Sequence, residues 1–211
     1  MTQKAGAGTG TKAGTSRGTG ENDSFDLLIV GVGGQGTILA SNIIGEACIL
    51  EGRNVRSAET HGMAQRGGSV ETHIRIDGRY GPLVPTGAAD MIISFDLLEA
   101  LRYRHFLKPS GTVVSAEGIV VPISAFQNNI EIPSADWIKE QMSDIKLITV
   151  DAGKLAKDAG SILSQNVVML GAAAKILPLK KESLLKAVEE LVPKKTVEIN
   201  KKAFLLGYES A

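Results

Sequence analysis

No disulfide can form within this chain, because its 211 residues include a single cysteine, Cys48. The same scarcity excludes a zinc site of the multi-cysteine kind and a cysteine-held iron–sulfur cluster, both of which need several thiolates. Cys48 lies between Ala47 and Ile49-Leu50, the setting of a buried, inert thiol. Aromatic residues make up only 4% of the chain, too few for a base-stacking platform. The 23 basic and 23 acidic residues cancel, so no net field steers the chain to nucleic acid or to an anionic membrane. No apolar run approaches the ~20 residues of a membrane span. A cytoplasmic address fits these absences.

What the chain does have is an ordinary globular balance, 43% hydrophobic and 22% charged, in a length that supports a sizeable core. Residues 1–24 are rich in Gly and Thr and carry no apolar stretch. They read as a disordered and dispensable extension, with too little to bury against the entropy of ordering. One domain is expected over residues 25–211. Asp26 to Val30 is a short, mostly apolar run ending at a glycine, the pattern of a strand buried on both faces. Gln35 to Leu50 follows as a helix, and Val55 to Ala58 as a second strand. From Ser69 to Ile76 the pattern becomes alternating, predicting a strand with one wet face and, with Asp77-Gly78 after it, a hairpin or edge excursion. Further strands are expected at Asp90–Phe95, Thr112–Ala116 and Ile145–Val150, with Pro109-Ser110-Gly111 as a turn. Helices are expected from Asp96 to about Phe106, at Ser134–Gln141, and over most of the chain beyond Asn166, broken at Pro178 and Pro193. The fold expected is a three-layer, Rossmann-like, doubly wound α/β domain. Its sheet should be mixed but mainly parallel, and its C-terminal third helical.

Two stretches carry unusual chemistry. Gly31, Gly33 and Gly36, with Gly34 and Gln35 between, form a GxGxxG between the first strand and the first helix. Such a loop lets backbone approach a phosphate and sets free N–H groups at a helix N-terminus. Thr37 stands where a Walker A lysine would be, so that reading fails. A nicotinamide or flavin site, another phosphate or coenzyme contact, and close packing alone all remain open. Glu59, 23 residues past Gly36, is roughly where a ribose-binding acid would sit. The second stretch is ETHGMAQRGG, residues 59–68. It gathers Glu59, His61, Arg66, Gly67 and Gly68 into one loop. Arg66 offers a fork for a carboxylate or phosphate, and His61 a group that can titrate near neutrality. If this loop leaves a strand parallel and adjacent to the first, both stretches share the sheet's carboxyl edge, where open α/β sheets bind ligands. A Glu59–Arg66 brace or a subunit contact would use the same residues. His73 reads as a residue of the wet strand face, His105 as a helix-end cation, Asp96 as a cap, and Asp151 as a cap or a lining residue. No catalytic triad, metal spacing or carboxylate pair emerges.

LLIVGVGGQGTILAS followed by SAETHGMAQRGGSVETHIRI resembles the beta subunits of indolepyruvate:ferredoxin oxidoreductases. These are equivalent to the gamma domain of the pyruvate and 2-ketoisovalerate enzymes. The likeness continues through ADMIISFDLLEALRY, LKPSGTVV, NVVMLGAAAKILPL and VPKKTVEINKKAF. The resemblance implies a subunit inactive alone, with no catalytic residue or cofactor of its own. It implies a larger alpha subunit carrying thiamine diphosphate, magnesium and 4Fe–4S clusters. The complex would convert an aryl 2-oxoacid and coenzyme A to an acyl-CoA, with ferredoxin as electron acceptor. Gamma subunits of pyruvate, 2-ketoisovalerate or 2-oxoglutarate enzymes, and a stand-alone NAD(P)-dependent dehydrogenase, are the competing readings.

Overall fold

The structure, a computed structural model, describes residues 24–61, 67–121, 125 and 131–211, with His61 described in its backbone only. The expected extension 1–24 falls outside them except for Ser24. Among the described residues, six strands form one sheet in the order β2-β3-β1-β4-β5-β6. The central strand β1, Phe25–Val32, is buried along nearly its whole length, which is why its sequence shows no alternation. It pairs in parallel with β4, Ala89–Ser94, and on its other side in antiparallel with β3, Ser69–Ile76. β5, Leu107–Ala116, and β6, Lys146–Val150, continue the parallel half.

The antiparallel element is a hairpin, and its partner strand comes before Ser69. β2, Val55–His61, pairs residue by residue with β3, from Val55 opposite Ile76 to His61 opposite Val70. Asp77, at φ 54°, does not open a second hairpin arm. Its carboxylate instead accepts hydrogen bonds from the Asn54 amide at 2.9 Å and from Arg53 Nε at 2.8 Å, fastening the open end of the hairpin.

Seven helices among the described residues cover both faces. α1, Thr37–Leu50, packs on one face together with α4, Ala152–Ala159, α5, Gln165–Ala173, α6, Lys181–Leu191, and α7, Val197–Ser210. The other face carries α2, Leu97–Tyr103, and α3, Ala135–Gln141, over Leu28, Val30, Ile92 and Val113. This is the expected three-layer mixed α/β fold. The caps follow the sequence: Asp96 accepts from the amides of Leu98 and Glu99, Ser134 from Trp137, and Asp151 from Lys154.

Three local expectations are corrected. Pro109-Ser110-Gly111 lies inside β5, beside a register shift between Ala89 and Met91 that accommodates the proline's missing donor. α4 was not expected; its buried residues are the alanines 152, 156 and 159, too small to announce an apolar stripe. His73 is buried, not on a wet face, because α2 and the turn of 3-10 helix at Arg104–Phe106 cover that side of β3. Its ring stands edge-on to Phe106 with centroids 5.7 Å apart, and its Nδ1 accepts from the Val84 amide at 3.1 Å.

On the helical face, α5 and α7 meet through glycines. A Cβ on Gly171 would collide with the Phe204 carbonyl oxygen, and one on Gly207 with the Val168 carbonyl oxygen. The two backbones therefore approach as only glycine allows.

Candidate functional site

β1, β4, β5 and β6 all end on one edge of the sheet, and β2 runs in their direction because two antiparallel pairings separate it from β1. The loop after β1 crosses this edge. A Cβ on Gly31 would crowd Gln35 Oε1 at 2.7 Å and the Phe95 Cβ at 3.2 Å, so a side chain there would displace Gln35. Gln35 folds back over it: Oε1 accepts from the Val32 amide at 2.7 Å and Nε2 donates to the Phe95 carbonyl at 3.0 Å. Gln35 thus ties the ends of β1 and β4 together, a positioning role for this side chain. Gly36, at φ 84°, is the N-cap of α1, and its carbonyl accepts from Asn166 Nδ2 at 3.4 Å. Gly34, at φ 106°, is exposed, and a Cβ there would meet nothing within 4 Å. No side chain caps α1 and no acid occupies its first turn, so its positive end is not offset locally.

The second loop reaches the first. The Gly33 amide donates to the Gly68 carbonyl at 2.8 Å, and the Gly67 amide to the Gly33 carbonyl at 3.4 Å. Gly67 takes φ 74°. The two glycine stretches therefore meet, as the edge rule implied, but not from adjacent strands: β3 lies between β1 and β2. Glu59 is consequently exposed on β2, opposite Thr72 and two strands away from β1. At ~4.8 Å per strand, that is not the neighbouring position from which a ribose-binding acid serves the glycine loop. His61 ends β2 opposite Val70. Arg66, and with it the Glu59–Arg66 brace, lies outside the described residues.

Beside Gly34 the edge opens into a cleft of about 280 Å³, with Gln35, Phe95, Val120, Leu163 and Asn166 among its walls. Leu163 is 87% exposed there. Among the described residues, the lining combines amide side chains with apolar surface and includes no ionisable group. Asn166 and Leu163 were not singled out in the sequence; Asn166 opens an apolar helix and nothing local marks it.

Below the second loop lies a buried polar group that the sequence also did not reveal. Ser69 Oγ contacts the Glu99 carboxyl and, at 3.0 Å, the Tyr103 hydroxyl. Burial pushes the Glu99 carboxyl above its usual range, against the opposing pull of Ser69 and Arg102. Burial likewise raises the Tyr103 phenol, with the Glu71 and Glu99 carboxylates adding to the rise. Among the described residues, no group of three metal-ligating side chains occurs, and no helix is long and apolar enough to cross a membrane.

Residues 26–210 match the model of the pyruvate ferredoxin/flavodoxin oxidoreductase family. The indolepyruvate oxidoreductase subunit IorB of Pyrococcus horikoshii is 40% identical over 193 residues, 89% of this chain and 96% of that one. The common gamma subunit of the pyruvate/ketoisovalerate oxidoreductases of Pyrococcus furiosus is 30% identical over 196 residues, 88% and 96% of the two chains. The crystal structure of the keto/oxoacid ferredoxin oxidoreductase gamma subunit of Geobacter sulfurreducens superposes with a TM-score of 0.66 at 26% identity, covering 89% of this chain and 98% of that one.

Proposed function

The chain belongs to the pyruvate ferredoxin/flavodoxin oxidoreductase family, and from that premise we propose that it is the small subunit of an indolepyruvate-type 2-oxoacid:ferredoxin oxidoreductase. The observation that carries the branch is the identity of 40% to an indolepyruvate subunit, against 30% to a pyruvate/ketoisovalerate subunit over a similar length. Its substrate class is an arylpyruvate, oxidatively decarboxylated to the acyl-CoA while ferredoxin accepts the electrons. The electron centres belong to a larger partner subunit. The only thiol here, Cys48, is fully buried among apolar side chains, and iron–sulfur clusters are commonly held by four thiolates. Thiamine diphosphate, which supplies an ylid that attacks the oxoacid carbonyl, and its magnesium are assigned to the same partner. The complex works in the cytoplasm.

This chain contributes its carboxyl edge to the partner near the coenzyme A and oxoacid site. The stitched loops Gly31–Gly36 and Glu59–Gly68 offer backbone N–H groups, an uncapped helix N-terminus and, through Arg66, a cation. Anionic groups suit that surface, either phosphates of coenzyme A or a carboxylate of the partner. A stand-alone nicotinamide dehydrogenase is disfavoured by the placement of Glu59.

The test is co-expression with the large subunit and assay of ferredoxin reduction. The reconstituted complex should turn over indolepyruvate faster than pyruvate or 2-oxoglutarate, and neither subunit should do so alone. Arg66→Ala should raise the KM for coenzyme A or weaken assembly while leaving the thermal unfolding of this chain unchanged. Turnover by this chain alone, NAD(P) binding without a partner, or preference for pyruvate would overturn the reading.

A further inference from the structure

Residues 77–88 connect β3 to β4 and lie as a strap on the face of the sheet that α2 covers. Side chains of the hairpin hold it there. Arg56, on β2, donates from Nη1 to the carbonyls of Gly78 at 2.8 Å and Tyr80 at 2.6 Å. Arg75, on β3, donates from Nη1 to the Gly81 carbonyl at 3.2 Å. His73, also on β3, accepts at Nδ1 from the Val84 amide, 3.1 Å away. The two guanidinium groups stay charged at any pH a folded protein meets. The third link differs in kind. A backbone amide can only donate, so Nδ1 must be bare, and the neutral ring carries its hydrogen on Nε2. His73 and Val84 are each 3% exposed, so solvent does not readily replace this bond.

We propose that His73 is a pH-sensitive latch on this strap, closed by the neutral ring and opened by the protonated one. Protonation puts a hydrogen on Nδ1 against the Val84 N–H, and two donors cannot share one contact. The charged ring has a partner of its own. Nε2 lies 3.6 Å from Glu71 Oε1, too far for a hydrogen bond from the neutral ring but near enough for a carboxylate to attract an imidazolium. The link therefore has two arrangements: Val84 held by a neutral ring, or Glu71 paired with a charged one. The proton binds the open arrangement, so the latch holds at higher pH and opens as pH falls. Of the other charged groups on this face, Arg75 pairs with Asp26, Arg56 is bound to the strap, and Asp77 is tied to Arg53. Arg79 and Tyr80 stand near the start of the strap. β1 and β2 set Leu28 and Ala58 opposite His73. On the α2 side stands Phe106, with the rings of Tyr103 and His105 packed against it and Glu99 beyond them, joined to Tyr103 through Ser69.

Opening the latch changes the surface. Along the strap runs a groove of about 480 Å³ lined by Tyr80, Pro82, Leu83 and Pro85 among others, with Tyr80 74% and Leu83 60% exposed. Release of Val84 from its place in the core beneath α2 frees one wall of that groove. β3 ends at this edge, with Ile76 opposite Phe25. The latch thus lies at the other end of the sheet from the two glycine loops, and it does not depend on the reaction assigned to them.

The experiment uses the full chain without a partner. With nitrogen-15-labelled histidine, NMR should show His73 as the neutral Nε2–H form at about pH 8, and as the doubly protonated form after acidification across the ordinary imidazole range, about 6.5. Amide exchange at Val84, normalised to the intrinsic rate at each pH, reads the latch. Its protection should fall about tenfold over the same range, while the amides of β1 keep theirs. His73→Asn offers a side-chain carbonyl in place of Nδ1 at every pH, so it should keep the protection and lose the pH dependence. Glu71→Gln removes the attraction for the charged ring and should move the loss to lower pH; it serves where His73→Asn fails to fold. Val84 protection independent of pH, wild-type pH dependence in His73→Asn, an unmoved transition in Glu71→Gln, or a parallel loss throughout β1 would overturn the proposal.

Discussion

Gly36 and Asn166, 130 positions apart in the chain, are in direct contact, and a Cβ on Gly36 would lie 2.5 Å from Asn166 Nδ2. The glycine loop is therefore seated on the first turn of α5 as well as on its own helix.

That seating separates two glycines of one loop. Gly36→Ala combines a left-handed backbone, costing ~1–3 kcal/mol, with a steric clash against Asn166. Gly34→Ala meets the same kind of backbone strain but no neighbour. Urea unfolding should show Gly36→Ala to be the more destabilised of the two. In the reconstituted complex, Gly34→Ala should impair coenzyme A use out of proportion to its stability loss, because it adds a methyl group to the open face.

Thr72, fully buried on β3, has the one buried side-chain oxygen among the described residues without a hydrogen-bond partner. Thr72→Val keeps the shape and the β-branch while removing the unmet hydroxyl. It should stabilise the chain by ~1 kcal/mol, an unmet polar group costing of that order, seen as a higher urea midpoint at constant m-value.

Gly171→Ala and Gly207→Ala should each destabilise by at least the ~1–3 kcal/mol of an overpacked core, because the added methyl meets a backbone carbonyl and not a movable side chain. Both variants should lower Tm, and the double variant should fall short of additivity, since either methyl alone already separates α5 from α7.

Cys48 is buried, and burial pushes its thiol up to about 12. The folded pKa lies above the unfolded one, so this group's contribution is fully present below the unfolded thiol pKa and is lost as pH rises toward about 12. Alkylation of the native chain by iodoacetamide at pH 8 should be slow and should accelerate in proportion to the unfolded fraction in urea. Fast labelling of the folded chain would contradict this burial.

The parts legible in the sequence were those whose pattern is local. β1 announced itself because Leu27 to Val30 have no polar alternate, and Asp96 caps the helix it precedes. The hairpin was misassigned because Asp77-Gly78 is a stronger turn signal than the link between His61 and Ser69, residues 62–68, although Asp77 spends its carboxylate on Asn54 and Arg53. His73 was misread because alternation shows which residues share a face and not what covers it. At the site, the meeting of two glycine loops followed from strand direction alone. Asn166 and Glu99 did not, since their partners Gly36 and Ser69 lie 130 and 30 residues away, and no local rule connects such positions.

The helical face has a consequence for biosynthesis. Ile43, Ile44 and Ala47 of α1 share one core with Leu184, Ala187 and Val188 of α6 and with residues of α5, all of them made after position 165. A growing chain emerging from the ribosome therefore displays a nearly complete sheet with one apolar face only partly covered, by α1 and α4, until its final quarter is synthesised. Trapping by chaperones, and aggregation of prematurely terminated products, should concentrate in that interval. Ribosome-stalled chains should become protease-resistant only once α7 has cleared the exit tunnel.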